Sequence, residues 1–172
     1  SVTFVSAFAG GTVRDILIER RPFFWVEHTE YIWLLIALVL AAPLLLRSRE
    51  LRVTDKVMEL ADALGLGLFT ISGVSLALVA GMPPIVAVLL GSITAVFGGV
   101  TRDVLCNEIP KVYRDHQPYT LCTLIGGVVF LVLHQLAVPP QLSLLVGICS
   151  ISGLRLLSLA YRWQIPPWPR ND

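Results

Sequence analysis

From Ala63 to Thr101 the chain runs 39 residues without a Lys, Arg, Asp or Glu, and from His116 to Leu154 it does so again for another 39. Each run is about twice the roughly 20 residues a helix needs to cross a bilayer. Each is also interrupted near its middle by a proline pair, Pro83-Pro84 and Pro139-Pro140. Proline is at home in the first turn of a helix, where its missing N–H is not needed. The two runs therefore predict two tight helical hairpins buried in lipid. With 55% hydrophobic and only 15% charged residues, against about 25% charged in an ordinary soluble domain, the chain reads as an all-α integral membrane protein.

The second constraint is a duplication. Residues 10–31, GGTVRDILIERRPFFWVEHTEY, recur 88 positions later as GGVTRDVLCNEIPKVYRDHQPY, with eight of 22 positions identical. The shared residues are the two glycines, Arg14/Arg102, Asp15/Asp103, Leu17/Leu105, Pro22/Pro110, His28/His116 and Tyr31/Tyr119. Matching at a fixed offset marks an internal repeat.

Six apolar segments are predicted, from Ser1 to Ile18, Tyr31 to Leu46, Val57 to Ala80, Pro84 to Leu105, Tyr119 to Ala137 and Pro140 to Tyr161. The polar stretches between them leave no room for a soluble domain, so residues 1–172 read as one transmembrane domain. Within it, 1–52 is a truncated first repeat, 53–138 a second repeat, and 139–172 an extra helix and tail. The second copy has a helix, Val57–Ala80, ahead of its glycine motif. Subtracting the offset of 88 from those positions gives numbers below one, so the first copy lacks its opening helix and the chain reads as truncated. Restored, the plan is two three-helix repeats plus a seventh helix. An odd number of spans per repeat inserts the two copies in opposite senses, an inverted repeat. Ser1–Ala9 has no basic segment and does not read as a signal peptide.

Helix alternation places Arg47, Arg49, Arg52, Lys56, Arg102, Lys111, Arg114, Arg155, Arg162 and Arg170 towards one face, and Arg14, Arg20 and Arg21 towards the other. That bias predicts a cytoplasmic C-terminus. A net charge of +1 gives no ground for a nucleic-acid partner. Cys106, Cys122 and Cys149 have no metal-ligand spacing and are odd in number, so neither a zinc site nor a disulfide framework is expected. No cofactor is expected either.

The glycine motif is the functional candidate. From Pro84 to Gly98 a helix rises about 21 Å, which puts the glycines about two thirds of the way across a hydrocarbon core of about 30 Å. Paired glycines weaken a helix and permit a kink or unwinding. Backbone unwound at that depth is tolerated only where protein buries it or water bathes it, and its freed carbonyls are suitable cation ligands. Gly10, Gly11, Gly98 and Gly99 are accordingly read as pore hinges. The hydroxyls of Thr3, Ser6 and Thr12 in one copy, and of Ser92, Thr94 and Thr101 in the other, are placed to hydrate the same path. The plainer alternative is that Gly-Gly is a close-packing surface between helices, with the arginines capping carbonyls. Adjacent Arg and Asp do not face one another on a helix, so Arg14, Asp15, Arg102 and Asp103 are expected to bond to other elements, the arginines holding broken-helix carbonyls as pore supports.

Other residues carry less. Asp62 either concentrates cations or simply suits a helix N-terminus. Gly65, Gly67, Ser72, Gly73, Ser75, Gly126, Gly127, Gly147 and Gly153 suggest tight helix packing. His28 and His116 read as loop hydrogen-bonders. Trp25, Trp33, Tyr31 and Tyr119 read as interfacial aromatics, and Pro43 should kink or end its helix.

On GGTVRD…RRPFFW, GGVTRD…NEIP and ADALGLGLFTISG at Ala61–Gly73, the chain resembles the prokaryotic trimeric intracellular cation (TRIC) channels, whose bacterial members are sometimes labelled a glycine transporter family. The resemblance covers nearly the whole chain. It implies seven helices in two inverted repeats plus one, of which the first is absent here, and a homotrimer in the bacterial inner membrane among lipids. It also implies a separate pore in each protomer beside the two glycine-broken helices, passing mainly K⁺ and less Na⁺. The competing reading is a secondary transporter of a small solute such as glycine, because inverted repeats also build carriers. An enzyme is not expected: there is no His-x-x-x-His pair, phosphate loop or nucleophile elbow. No TVGYG-type filter is present.

Overall fold

The computed structural model describes residues 2–46, 55–114, 118–161 and 163. Within them six long helices form at the predicted segments: α1 (Val2–Leu17), α3 (Thr29–Leu46), α4 (Asp55–Val79), α5 (Pro84–Leu105), α7 (Tyr119–Gln135) and α8 (Pro140–Ala160). Two single-turn helices, α2 (Phe24–Glu27) and α6 (Lys111–Arg114), lie in the polar connections. No strand occurs among the described residues.

Both proline pairs act as the sequence requires. Pro83 and Pro139 are N-caps, and Pro84 and Pro140 open the returning helices. Each preceding helix closes on a residue with positive φ, Gly81 at 77° and Ala137 at 57°. Beyond it the chain bonds back, Met82 N–H to the Ala77 carbonyl and Val138 N–H to the Leu133 carbonyl. This arrangement satisfies the carbonyls that every helix C-terminus leaves open. Pro43 does not end its helix: α3 runs on to Leu46. Pro43 removes one N–H close to the helix end, where the loss interrupts few further bonds.

The core lies where α4, α5, α7 and α8 meet. Ile71 and Val74 of α4, Val88 of α5, Phe130 of α7 and Ile151 of α8 are buried together there. Small residues bring these helices close: a methyl on Gly73 would fall 2.7 Å from the Gly91 Cα, and one on Gly147 would fall 2.8 Å from Ile71 Cδ1. Gly67, Gly126 and Gly127 are packed in the same way. Gly65 and Gly153 are not; around Gly153 there is open space.

Helix α1 packs along α5, whereas α3 leans chiefly on the short α2. In the second copy α4 packs on both α5 and α7; no element among the described residues takes the matching place beside α1 and α3. An open cavity of about 750 Å³ lies there, lined by Gly11, Arg14, Phe24, Leu35, Ser72 and Ser75 among others. Helices α4, α5 and α8 are each long and apolar enough to cross a membrane.

Candidate functional site: the crossing of two repeated helices

The two glycine motifs meet. A methyl added to Gly10 would collide with the Thr94 carbonyl oxygen, and one added to Gly98 would lie 3.6 Å from the Ser6 carbonyl oxygen. Gly98 is Gly10 plus 88, and Thr94 is Ser6 plus 88. The same contact is therefore made twice, with the roles of the copies exchanged. Because residue 10 meets 94 while residue 6 meets 98, numbering falls along α1 as it rises along α5. The helices cross antiparallel about a local two-fold axis. That is the geometry of an inverted repeat, and it follows from side-chain-free approach of one backbone to another.

The glycines do not break their helices. Both α1 and α5 are continuous through the glycine pairs, which corrects the expectation of unwound backbone and freed carbonyls. The physical reason is the close approach itself: a glycine that lets a neighbouring carbonyl reach the helix surface is held by that packing, and its intrinsic helix penalty of about 1 kcal/mol is outweighed. The second glycine of each pair looks elsewhere. Gly11 abuts the Phe24 ring, and a methyl on Gly99 would lie 3.5 Å from the Tyr119 hydroxyl.

The hydroxyls are engaged with their own helices. Thr12, Thr94 and Thr101 donate to the carbonyls four residues back, of Phe8, Leu90 and Phe97, and Ser92 donates to Val88. Their remaining capacity is as acceptors. Thr94 is fully buried, so it supports the crossing rather than facing a water-filled path. Ser6, Thr12 and Thr101 are half-buried.

The Arg-Asp pairs bond to other elements as expected, Asp15 to the Phe24 N–H and Arg102 to Asp62, but each pair also bonds within itself, which the sequence reading does not expect. Arg14 Nε donates to Asp15 Oδ1 at 2.9 Å, and Arg102 Nε donates to Asp103 Oδ1 at 2.9 Å. Neighbouring residues point about 100° apart on a helix, yet the long Arg side chain bridges that angle at the last turn, where no further turn obstructs it. The turns are duplicated too. Glu19 and Asn107 both have positive φ, 55° and 58°, and Arg20 and Glu108 donate back to the Asp15 and Asp103 carbonyls. Each copy thus ends in the same cap and holds its pair in the same place, but at opposite ends of the bundle.

Beyond that shared pattern the two ends differ. In the first copy, Asp15 Oδ2 accepts the Phe24 N–H at 2.7 Å, Trp25 Nε1 donates to Thr12 Oγ1 at 3.2 Å, and the Arg14 guanidinium lies 5.3 Å from the Phe24 ring centre. Arg14 and Asp15 are both buried. In the second copy Arg102 also reaches Asp62 of α4, at 3.5 Å, and Arg155 of α8 lies 4.7 Å from the centre of the Tyr119 ring. Asp62, Arg102, Asp103, Tyr119 and Arg155 thereby gather at one end of α4, α5, α7 and α8.

Tyr119 is 5% exposed, so it is a packed residue of this cluster and not the interfacial aromatic the sequence suggested; Tyr31 and Trp33 are exposed. The sequence analysis places Arg155 only among the basic residues of one face. Its position inside an otherwise apolar helix was the available signal, since an ionisable group at such depth needs partners. His28 Nδ1 pairs with Glu30 at 3.0 Å, a loop role as expected. His116, with Arg47, Arg49, Arg52, Arg162 and Arg170, falls outside the described residues. No cluster of metal-ligating side chains occurs among the described residues.

Comparison with known proteins agrees with this architecture. The family model described as "Glycine transporter" matches residues 1–47 and 59–135. The UPF0126 membrane protein of Vibrio cholerae is 34% identical over 162 residues, covering 94% of this chain and 67% of its own length. The UPF0126 inner membrane protein YadS of Escherichia coli K12 is 33% identical over 170 residues, covering 98% of this chain and 81% of its own. Among solved structures, the TRIC channel orthologue from Rhodobacter sphaeroides superposes with a TM-score of 0.83 at 31% identity, over 92% of this chain and 80% of that one. A second TRIC cation channel structure gives 0.82 at 31% identity, over 98% and 82%. The protein is an all-α integral membrane protein, and it belongs to the family that unites the prokaryotic TRIC channels, the UPF0126 membrane proteins and the glycine-transporter family model.

Proposed function

We propose that this protein is a passive channel for monovalent cations, mainly K⁺, with one pathway per protomer beside the antiparallel crossing of α1 and α5. The observation that carries the reading is the Arg-Asp pair repeated at the two opposite ends of that crossing, in a chain that superposes on TRIC cation channels. Fixed, internally neutral pairs at both ends of a path mark it without trapping an ion. Thr12 and Thr101 spend their protons on backbone carbonyls; Thr101 offers its lone pairs to anything passing, and Thr12 the one that the Trp25 N–H leaves. Acceptors without donors favour a partly dehydrated cation over an anion. Gly11 and Gly99, with Ser6, Thr12 and Thr101, are the lining; Gly10, Gly98 and Thr94 hold the helices together; Arg14, Asp15, Arg102 and Asp103 support the ends.

The assembly in this reading is a homotrimer in a bacterial inner membrane, with a cytoplasmic C-terminus. Residues 1–52 belong to the first repeat, 53–138 form the second, and 139–172 the extra helix and tail. The second reading, a carrier of a small solute such as glycine, is favoured by the description of the matching family model. Planar-bilayer recording of the purified protein in asymmetric KCl separates the two. A channel gives discrete currents whose reversal potential follows the K⁺ gradient, with Na⁺ passing less well and Cl⁻ hardly at all. Saturable, gradient-coupled glycine uptake into proteoliposomes without unitary currents at any voltage decides for the carrier.

A further inference from the structure

Helix α8 brings an arginine to the Gly99 end of the crossing. It runs antiparallel to α7: a methyl on Gly147 would meet Phe130, and one on Gly126 would collide with Ile151. One turn beyond Ile151, Arg155 therefore reaches the first turn of α7, where its guanidinium carbon lies 4.7 Å from the centre of the Tyr119 ring. Ser152 Oγ donates to the Ala63 carbonyl at 3.0 Å, which fixes the same stretch of α8 against α4. Arg155 and Tyr119 are both buried. Tyr119 is the first residue of α7. Side chains on a helix lean towards its N-terminus, so a ring at this position projects past the helix end, and no preceding turn holds it. Its neighbours on other helices hold it instead: Arg155 at the ring face, and Gly99 of α5, on which a methyl would lie 3.5 Å from the Tyr119 hydroxyl.

We propose that Arg155 is a positioning residue: from α8 it holds the Tyr119 ring so that the hydroxyl stands at Gly99, as the acceptor a cation meets at that end of the pathway. A guanidinium over a tyrosine face is attracted by the ring quadrupole, and the attraction is stronger where water is excluded. The arginine sets where the ring lies, and the rigid ring carries the hydroxyl to α5. Gly99 has no side chain, so the oxygen reaches the helix surface there, and its lone pairs are open to a partly dehydrated cation. The counterpart of Tyr119 in the first copy, Tyr31, is 48% exposed and has His28 as its ring neighbour, 5.6 Å away. Two ends built on one repeated motif thus differ through a helix that comes after both copies. The positioning role rests on the reading of the crossing as the pathway.

The test is a double-mutant cycle read as unit K⁺ conductance, by single-channel recording of the full chain in symmetric KCl, on protein that keeps the parent's size-exclusion profile. Tyr119→Phe removes the acceptor and should lower unit conductance by about two- to tenfold, the equivalent of one hydrogen bond. Arg155→Met keeps the length of the side chain without its charge, frees the ring, and should lower conductance to the same level. In the Tyr119→Phe background Arg155→Met should cause no further loss, because coupled residues are not additive. Arg155→Lys, which returns a cation to the ring face, should restore conductance to within about twofold of the parent. A residue that only packs α8 would lower stability and leave unit conductance alone, and that result overturns the proposal. An equal fall in both backgrounds also overturns it, since the arginine would then act on the ion and not through Tyr119. Should Arg155→Met fail to assemble, Arg155→Gln keeps donors without charge and is judged by the same criteria. Gly99→Leu separates this proposal from the reading beneath it. If Gly99→Leu abolishes current while Tyr119→Phe and Arg155→Met conduct as the parent does, the pathway stands and the positioning role is wrong. If Gly99→Leu conducts as the parent too, the pathway reading fails with it.

Discussion

Gly10 rests against the backbone carbonyl of Thr94 with no room for a side chain, while its counterpart Gly98 keeps ordinary van der Waals separation, 3.6 Å, from the carbonyl of Ser6. The crossing is two-fold in pattern but not in tightness. Gly10→Ala should separate α1 from α5 and cost about 1–3 kcal/mol, the usual penalty of overpacking. Gly98→Ala should be near neutral, because the added methyl fits and helix propensity improves by up to about 1 kcal/mol. Thermal unfolding of the two variants in the same detergent checks this; equal shifts would mean that the two sides of the crossing are equally tight.

Gly99→Leu and Gly11→Leu place bulk on the two sides of the pathway and should each remove unitary K⁺ conductance while the assembly survives. Gly99 faces Tyr119 rather than another backbone, so a larger side chain there fills space without prising helices apart. Size-exclusion profiles and bilayer currents should be read together. Unchanged conductance in both variants would put the pathway elsewhere.

Arg102 joins Asp103 on its own helix to Asp62 on α4. Replacing it with Ala leaves two carboxylates short of a partner, at about 1–3 kcal/mol for a buried polar group left unmade, reduced by the part of Arg102 that solvent reaches. Altered gating and a lower melting temperature should appear together. Normal stability with changed ion selectivity would instead make Arg102 a residue that acts on the permeating ion.

Tyr119→Phe keeps the ring beneath Arg155 and removes only the hydroxyl near Gly99. Stability should stay within about 1 kcal/mol of the parent, in the range of one net hydrogen bond, and unit conductance should change because the acceptor beside the pathway is gone. Tyr119→Ala should lose about 3–5 kcal/mol, as large aromatic deletions do in packed interiors. A conductance unaltered by Tyr119→Phe would confine Tyr119 to a packing role.

Helix positions were legible without coordinates because they depend on local quantities. Charge-free runs of membrane length, the proline pairs and the 88-residue offset placed all six long helices within a few residues, and the Pro84–Leu105 helix at both ends. The inverted sense of the repeats was legible too, since it follows from counting spans. What Gly10-Gly11 and Gly98-Gly99 do was not. A glycine pair is compatible with a broken helix or a close crossing, and only the Thr94 carbonyl lying against Gly10 chooses the second. The pairing of Arg14 with Asp15 is not legible in the sequence for a related reason: helix geometry alone sets them apart, and the freedom to fold back exists only at a terminus. The cluster of Asp62, Tyr119 and Arg155 joins residues from three different helices, far apart in sequence, and although Arg155 stands out in an apolar helix, nothing local names its partners. Periodicity and composition report on a residue's own helix, whereas which helix faces which, and what a small residue lets in, is settled by packing at distances no single-sequence pattern encodes.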